Sequence, residues 1–160
     1  ASYDPVFKVH PPLRTDVAVR AIREGLADGT IDAIATDHAP HAPHMKELPF
    51  DQAPPGMLGL ETAFALALGD SGLDLPEVLA LLSWRPAAIA GVADRHGAPL
   101  VPGAPANLCV LDPEETWTVS GAAMASLSSN TPYEGRTLRG RVRHTIRAGV
   151  PVVVDGEARL

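Results

Sequence analysis

The spacing of apolar positions near the start of the chain predicts an amphipathic helix. Ala18, Ile22 and Leu26 recur at three-to-four-residue intervals, which places them on one helical face. Thr15 or Asp16 can cap the start of this helix at Val17, because short polar side chains accept hydrogen bonds from the first backbone amides. Gly29 follows as a natural stop.

Two apolar runs flank this helix and predict strands. Phe7 to Val9 has the pattern of a strand end, and the prolines that follow His10 forbid both helix and ladder pairing. Ile31 to Thr36 has the composition of a complete strand. A strand, a helix and a second strand in succession favour a right-handed parallel crossover.

The middle of the chain alternates between a proline-rich loop and apolar helices. The loop extends from His38 to Gly56, a length that is typical of functional or disordered segments. Three helices are then predicted: Gly56 to Leu68, Asp74 to about Ser83, and Pro86 to about Ala90.

From Gly91 onward, glycine and proline mark frequent turns, and the apolar runs become short. The pattern predicts a small antiparallel β unit in which Gly149 turns the last two strands into a hairpin. Its four predicted strands are Asn107 to Leu111, Trp117 to Val119, Val142 to Ala148, and Val150 to Val154.

Composition narrows the classes of function. The chain has 160 residues, is 46% hydrophobic and has a formal net charge of −6, so it can bury a core and lacks the basic excess that nucleic acids or membrane surfaces require. The locally basic stretch from Arg136 to Arg147 alternates with apolar residues, which is typical of the solvated face of a strand. Cys109 is the single cysteine and is predicted to be a buried structural thiol.

The hydropathy of the chain bears on its localisation. No apolar run approaches the roughly 20 residues of a membrane span, and no signal peptide is visible, so we expect a cytoplasmic protein. The chain begins without methionine, and we therefore expect a fragment or a processed piece of a larger protein.

Asp37 is the strongest candidate for chemistry. It directly follows the predicted strand, and a carboxylate at that point can ligate a metal or take a proton from a metal-bound water. Asp is equally common as a helix N-cap or turn residue, and spacing alone does not separate these interpretations.

Histidines cluster around the same point. His38, His41 and His44 lie within seven residues, but their intervals match no common zinc-ligand spacing. His41 is better suited to donate a hydrogen bond to an anionic substrate, His38 to orient Asp37, and His44 to a loop without a role. His10 lies at another predicted strand end, as a pocket residue or a surface turn residue.

Further candidates are weaker. Pro55 and Gly56 precede a predicted helix, where free backbone N–H groups can hold a carboxylate or carbonyl, although a simple helix start is commoner. Arg14 can steer anions or pair with Asp16. Glu61 is either a buried anchor or an exposed residue, and the stretch from Asn130 to Gly135 has the composition of a turn.

Four blocks of the sequence, in this order, resemble the dihydroorotases of the amidohydrolase superfamily. The block that contains Ile34-Ala-Thr-Asp-His-Ala-Pro-His41 is the most specific of them. The other three are Phe7-Lys-Val-His-Pro-Pro-Leu-Arg-Thr15, Pro55-Gly-Met-Leu-Gly-Leu-Glu-Thr62 and Asn130-Thr-Pro-Tyr-Glu-Gly135. The resemblance runs over essentially the whole chain.

The resemblance implies an α/β fold: residues 1–91 as the C-terminal part of a metal-dependent (β/α)8 TIM barrel, and 92–160 as part of a small flanking β-sandwich domain. It implies reversible ring closure of N-carbamoyl-L-aspartate to L-dihydroorotate in pyrimidine biosynthesis. Asp37 resembles a metal ligand that also shuttles the proton. His41, Pro55 and Gly56 match substrate-binding positions, and His10 stands where the family usually has Asn.

The family's other metal ligands, including a His-x-His pair, have no counterpart in this sequence. The resemblance therefore implies a site for one or two Zn²⁺ ions whose ligands lie mostly outside this chain, and we expect the chain alone to be inactive. The alternatives are another cyclic amidohydrolase, such as an allantoinase or dihydropyrimidinase, or a non-catalytic scaffold for aspartate transcarbamoylase. A small-molecule substrate and either a homodimer or a transcarbamoylase partner are the implied partners.

Overall fold

The computed structural model describes residues 3–159, which form a helical first part followed by a four-stranded antiparallel sheet. The helices are α1 (Asp16–Ala27), α2 (Pro43–Lys46), α3 (Ala63–Asp70), α4 (Leu75–Leu82) and α5 (Trp84–Ile89), with short 3-10 turns at Pro5–Phe7 and Gly121–Ala123. The strands are β1 (Leu108–Thr118), β2 (Thr137–Arg147), β3 (Val150–Val154) and β4 (Glu157–Ala158).

Three of the predicted helices form close to where the sequence placed them. Helix α1 begins after Thr15 and is followed by Gly29, whose φ of 81° is one that side chains other than glycine rarely adopt. Helix α4 is capped by Asp74, whose carboxylate accepts a hydrogen bond from the Glu77 amide at 3.0 Å. Helix α5 begins at Trp84, two residues before the predicted start.

The predicted strands before and after α1 are wrong. Phe7 ends a 3-10 turn, and the segment from Ile31 to Thr36 pairs with no strand among residues 3–159. A parallel strand exists only through a neighbouring ladder, and here the amide of Ile34 donates instead to the Leu81 carbonyl of α4, at 2.9 Å. The segment is thus fixed by α4 rather than by a sheet.

The apolar helix predicted from Gly56 begins only at Ala63, which corrects its start by seven residues. The preceding amides bind elsewhere: Leu58 N–H donates to the Asn130 carbonyl, and the amides of Gly59 and Leu60 donate to the His38 imidazole. These long-range partners hold the backbone out of the helix. Short helix α2 interrupts the predicted proline-rich loop.

The antiparallel β unit is confirmed, although its strands are longer than predicted. The two runs predicted around Cys109 and Trp117 are one strand, β1, whose register with β2 shifts between Asp112 and Thr116. Strand β2 starts five residues earlier than expected. The β2–β3 hairpin turns at Ala148 and Gly149, both with positive φ, as a two-residue hairpin loop requires.

Helix α3 packs on the sheet and joins the two parts through a common core. Phe64 and Leu68 are buried in one cluster with Val78 of α4, and Val142 of β2 packs against it. Gly140 allows this approach, because a Cβ there would lie 3.0 Å from the side chains of both Phe64 and Leu68. The sheet is thereby fixed relative to the residues that follow Gly56.

The basic stretch on β2 is a solvated face, as predicted, and its arginines form ion pairs. Arg139, Arg141 and Arg143 bind the carboxylates of Glu114, Glu115 and Asp155 across the sheet.

Cys109 is exposed, so the prediction of a buried thiol is wrong. The next residue, Val110, is exposed as well, so the described residues leave both faces of β1 accessible at this point. Between residues 3 and 159, no helix is long and apolar enough to cross a membrane.

Candidate active site

A cleft of about 830 Å³ lies between α1, the segment that ends at Asp37, and the stretch from Gly56 into α3. Its walls are mainly apolar, and the polar side chains that line it include those of His10, Arg14 and Asp37. The cleft brings together three of the predicted site residues, His10, Asp37 and Gly56. His41 and Pro55 do not line it directly, but they contact the backbone around Gly56.

Asp37 is exposed, and its carboxylate accepts no hydrogen bond from any residue between 3 and 159. The N-cap interpretation is wrong, because the next helix, α2, starts at Pro43 and is preceded by Ala42. The adjacent residue, His38, forms a parallel bridge with Met57, which fixes the backbone on one side of the carboxylate. Asp37 therefore presents a free carboxylate at a cleft with a defined backbone beside it.

His38 holds backbone rather than Asp37. Its Nδ1 accepts hydrogen bonds from the amides of Gly59 at 3.1 Å and Leu60 at 3.3 Å. Because a backbone N–H can only donate, Nδ1 acts as the acceptor and carries no proton, which assigns the ring proton to Nε2. The predicted orienting contact with Asp37 is absent from the described residues, and His38 instead anchors the backbone that leads into α3.

His41 is fixed at two atoms. Its amide donates to Oδ1 of Asn130 at 3.1 Å, and its Nε2 lies 3.0 Å from the carbonyl oxygen of Pro55. A carbonyl oxygen can only accept, so Nε2 carries the proton. The ring atom that remains available for a ligand in this arrangement is Nδ1.

Both the backbone amide and the backbone carbonyl of Gly56 are hydrogen-bonded. Its amide donates to the Lys8 carbonyl at 2.8 Å, and its carbonyl accepts from Lys46 Nζ at 3.0 Å and from Asn130 Nδ2 at 3.2 Å. The prediction of free N–H groups is therefore wrong, because Pro55 has none and that of Gly56 is occupied. No helix starts here either, so the simple helix-start alternative is also wrong.

Two lysines place positive charge on this loop. Lys8 Nζ donates to the carbonyls of Phe50 and Asp51, at 2.7 and 3.2 Å, and Lys46 Nζ also donates to the Pro54 carbonyl at 3.0 Å. Partial burial, and secondarily the charge of Lys8, lowers the pKa of the Lys46 ammonium. The loop between α2 and Gly56 is thus held by ammonium groups that bind its backbone carbonyls.

Asn130 is the residue that sequence reasoning missed. It is 7% exposed, and its side-chain amide binds the Ala39 carbonyl, the Gly56 carbonyl and the His41 amide. The turn interpretation overlooked these contacts, which join segments that are 74 to 91 residues apart. The available signal was the position of Asn130 at the head of a block that resembles the dihydroorotases.

The remaining candidates divide between the cleft and the surface. His10 and Arg14 are exposed and line the cleft, and Arg14 makes no ion pair with Asp16 among the described residues. His44 is exposed on α2. Glu61 is exposed, and its carboxylate accepts from the amide of Ala125 at 3.0 Å.

The donor set within residues 3–159 is incomplete for zinc. No three His, Cys, Asp or Glu side chains come close enough together to hold a metal ion. Zinc sites in proteins use three or four such ligands. Asp70, the other carboxylate at the cleft, is bound by Arg136 Nη2 at 2.8 Å. Asp37 is therefore the carboxylate that remains available there.

The chain is similar to curated bacterial dihydroorotases over nearly its whole length. It is 50% identical over 160 residues to the dihydroorotase of Streptomyces coelicolor and 50% identical over 158 residues to that of Mycobacterium leprae. These alignments cover 98% and 93% of the chain but only 37% and 35% of the relatives, so the chain spans a little over a third of their length.

Solved structures give the same picture of the fold. The chain superimposes on the L-hydantoinase (dihydropyrimidinase) from Arthrobacter aurescens with a TM-score of 0.87 and 27% identity, over 99% of this chain and 36% of that one. The hydantoinase has a mixed α and β fold over the matched part, as this chain does. The family model of the amidohydrolases matches residues 11–152. The cleft, with its free carboxylate at Asp37, is thus found in a chain that belongs to the amidohydrolase family.

Proposed function

We propose that this chain is part of a dihydroorotase that interconverts L-dihydroorotate and N-carbamoyl-L-aspartate in pyrimidine biosynthesis. The observation that carries this proposal is the 50% identity to dihydroorotases over 158 to 160 residues, against 27% to the hydantoinase. The most specific block of the sequence, Ile34 to His41, contains the free carboxylate of Asp37.

The proposal includes a division of the chain. Residues 1–91 would form the last βα units of a (β/α)8 barrel, and 92–160 part of the β-sandwich domain beside it. The high TM-score to a hydantoinase and the common core of α3 and β2 support this arrangement. In a closed barrel, Ile31 to Thr36 would have the ladder neighbours that it lacks among residues 3–159.

Asp37 would act as metal ligand and proton carrier. Hydrolysis of dihydroorotate adds water to a ring carbonyl and breaks its bond to a ring nitrogen. Asp37 would take a proton from the attacking water and deliver it to the departing nitrogen, and ring closure would reverse these transfers. A bound Zn²⁺ ion would supply Lewis-acid polarisation of the carbonyl. Asp37 would be one ligand, and the others would come from regions of the relatives that this chain does not cover.

The neighbouring residues would bind the substrate. Dihydroorotate carries a carboxylate, and Arg14 and His10 provide a cation and an imidazole at the same cleft as Asp37. His41 and the Pro55–Gly56 segment would complete one wall. In this structure, the Nε2 proton of His41 is used by Pro55, so His41 would contact substrate through Nδ1 or by exchanging the Pro55 carbonyl for the ligand.

A hydantoinase or dihydropyrimidinase activity is the second candidate, favoured by the structural match to the Arthrobacter aurescens enzyme. Both classes break the amide bond of a small ring, so the cleft and Asp37 would suit either. The difference lies in the ring substituents that the walls must accept, and the dihydroorotase assignment requires groups that bind a substrate carboxylate.

The test uses the complete protein that contains this chain, loaded with zinc. It is assayed on dihydroorotate, hydantoin, allantoin and dihydrouracil, in parallel with the variants Asp37→Asn and Asp32→Asn. We expect turnover of dihydroorotate alone, its loss in Asp37→Asn and its retention in Asp32→Asn. Turnover of hydantoin, allantoin or dihydrouracil without dihydroorotate would exclude the assignment.

A further inference from the structure

We propose that Asn130 is a positioning residue for the candidate active site and acts through His41 and Gly56. The inference rests on the proposed function, because it assigns a part in substrate binding to those two residues. Asn130 itself does not line the cleft, and so it is not a catalytic residue.

The side-chain amide of Asn130 uses both its donor and its acceptor atoms to bind the backbone of Ala39, His41 and Gly56. The two hydrogens of Nδ2 match two acceptors, the carbonyl of Ala39 at 3.0 Å and the carbonyl of Gly56 at 3.2 Å. Oδ1 accepts from the His41 amide at 3.1 Å. One side chain thus sets the distance between the two segments that carry the predicted substrate contacts.

The backbone of Asn130 extends the same attachment. Its carbonyl accepts from the Leu58 amide at 3.1 Å, two residues beyond Gly56. Between these contacts, the Ala39 amide donates to the Met57 carbonyl at 2.9 Å and pairs the two segments directly. Asn130 therefore fixes both ends of a short backbone pairing that starts beside Asp37.

Because Asn130 is buried, the loss of any of these contacts is costly. Asn130 is 7% exposed, and a buried amide that loses one partner has little access to water as a replacement. The Gly56 carbonyl, however, is also bound by Lys46 Nζ at 3.0 Å, and the Pro55 carbonyl by the His41 ring. Removal of the Asn130 amide should therefore displace the segment without releasing it, which predicts a defect in substrate binding more than in folding.

Two variants separate the donor and acceptor functions of the amide. Asn130→Ala removes all three side-chain bonds. Asn130→Asp keeps an acceptor for the His41 amide but directs a second oxygen at the carbonyls of Ala39 and Gly56, which cannot donate to it. We expect the Asp variant to be the more strongly impaired of the two.

Asn107 offers a matched control. Its amide also bridges two distant backbone segments, donating to the Arg95 carbonyl and accepting from the Ala148 amide, both at 2.8 Å. Neither Arg95 nor Ala148 lines the cleft. Asn107→Ala should therefore lower stability without affecting substrate binding.

The experiment measures hydrogen exchange and steady-state kinetics on the complete zinc-loaded protein that contains this chain. For Asn130→Ala we expect faster exchange across residues 39–58 and a KM raised about tenfold, with kcat reduced less than about threefold. Asn107→Ala should leave both the exchange across residues 39–58 and the KM unchanged. Unaltered exchange at 39–58, or altered exchange with an unaltered KM, would overturn the inference.

If the dihydroorotase assignment is wrong, the wild-type protein shows it before any variant is compared. If the wild-type protein turns over hydantoin and not dihydroorotate, the substrate assignment is wrong, and KM for hydantoin replaces the kinetic measurement for Asn130. If neither compound is turned over, exchange across 39–58 decides the inference alone, with acceleration in Asn130→Ala and not in Asn107→Ala as the supporting result.

Discussion

The imidazole Nε2 of His41 lies 3.0 Å from the carbonyl oxygen of Pro55, fourteen positions further along the chain and beyond the loop that contains α2. This contact closes the loop on itself at the residue before Gly56. It also fixes the tautomer of His41, because the carbonyl requires a proton on Nε2. The histidine therefore shapes the site and is at the same time available to it through Nδ1.

Replacement of His41 should mainly weaken substrate handling. In the complete protein, we expect His41→Ala to lower kcat/KM by about tenfold, equivalent to about 1.4 kcal/mol of transition-state stabilisation. His41→Gln should retain more activity, since its amide can donate to the Pro55 carbonyl. His44→Ala, on the exposed surface of α2, is the control. An unchanged kcat/KM in His41→Ala would remove this residue from the site.

Asp37 should be indispensable for turnover. Asp37→Asn keeps the shape of the side chain but cannot accept a proton, and we expect kcat to fall by about three orders of magnitude or more. Asp32→Asn changes an exposed carboxylate in the same segment and should retain activity. The kcat values of the purified variants, measured in steady-state assays at equal zinc content, give this comparison. Near-wild-type turnover in Asp37→Asn would contradict the proposed role.

Gly56 should not tolerate any side chain. Its φ is 142°, and an added Cβ would lie 2.6 Å from the Cβ of Ala39 and 2.7 Å from Nε2 of His41. We expect Gly56→Ala to destabilise the protein by about 2 kcal/mol or more, through backbone strain and overpacking, and to displace the His41 ring. Urea unfolding of the complete protein measures the first effect, and kcat/KM the second.

Gly69→Ala is the control for Gly56→Ala, because the same substitution is expected to have the opposite effect on stability there. Gly69 lies in α3, and an added Cβ would have no atom within 4 Å apart from its chain neighbours and the backbone of its own helix. Gly69→Ala should stabilise the protein by up to about 1 kcal/mol, because alanine has a higher helix propensity than glycine. Equal effects of the two alanine substitutions would show that the space around Gly56 is not restrictive.

Local signals accounted for the elements that sequence alone could predict. The capping residue Asp74, the stop at Gly29 and the turn at Gly149 act through hydrogen bonds and dihedral angles within a few residues. Those signals predicted α1, α4 and the β2–β3 hairpin correctly. A local signal also singled out Asp37, because a carboxylate after an apolar run has a limited set of roles. The position of α2 excludes the helix cap, and the role as a metal ligand stays a prediction.

The errors arose where distant segments decide the backbone. The residues after Gly56 look helical in sequence, yet Asn130 and His38 bind their amides and delay α3 to Ala63. The run from Ile31 to Thr36 has the composition of a strand but lacks a ladder neighbour among residues 3–159. Neither the partner of a strand nor the partner of a buried amide can be derived from spacing along one chain.

The two glutamates of β1 should differ in their effect on stability. Glu115 accepts from both Arg141 and Arg143, at 3.3 and 2.9 Å, and its side chain is 22% exposed. The side chain of Glu114 is 74% exposed and, within residues 3–159, pairs with Arg139 alone. We expect Glu115→Gln to cost about 1 to 2 kcal/mol and Glu114→Gln less than about 0.5 kcal/mol, since exposed pairs are screened by water. Urea unfolding at 50 and 500 mM NaCl should show the Glu115 penalty shrinking with salt. Equal penalties for the two variants would indicate that the shared carboxylate of Glu115 adds nothing beyond a surface ion pair.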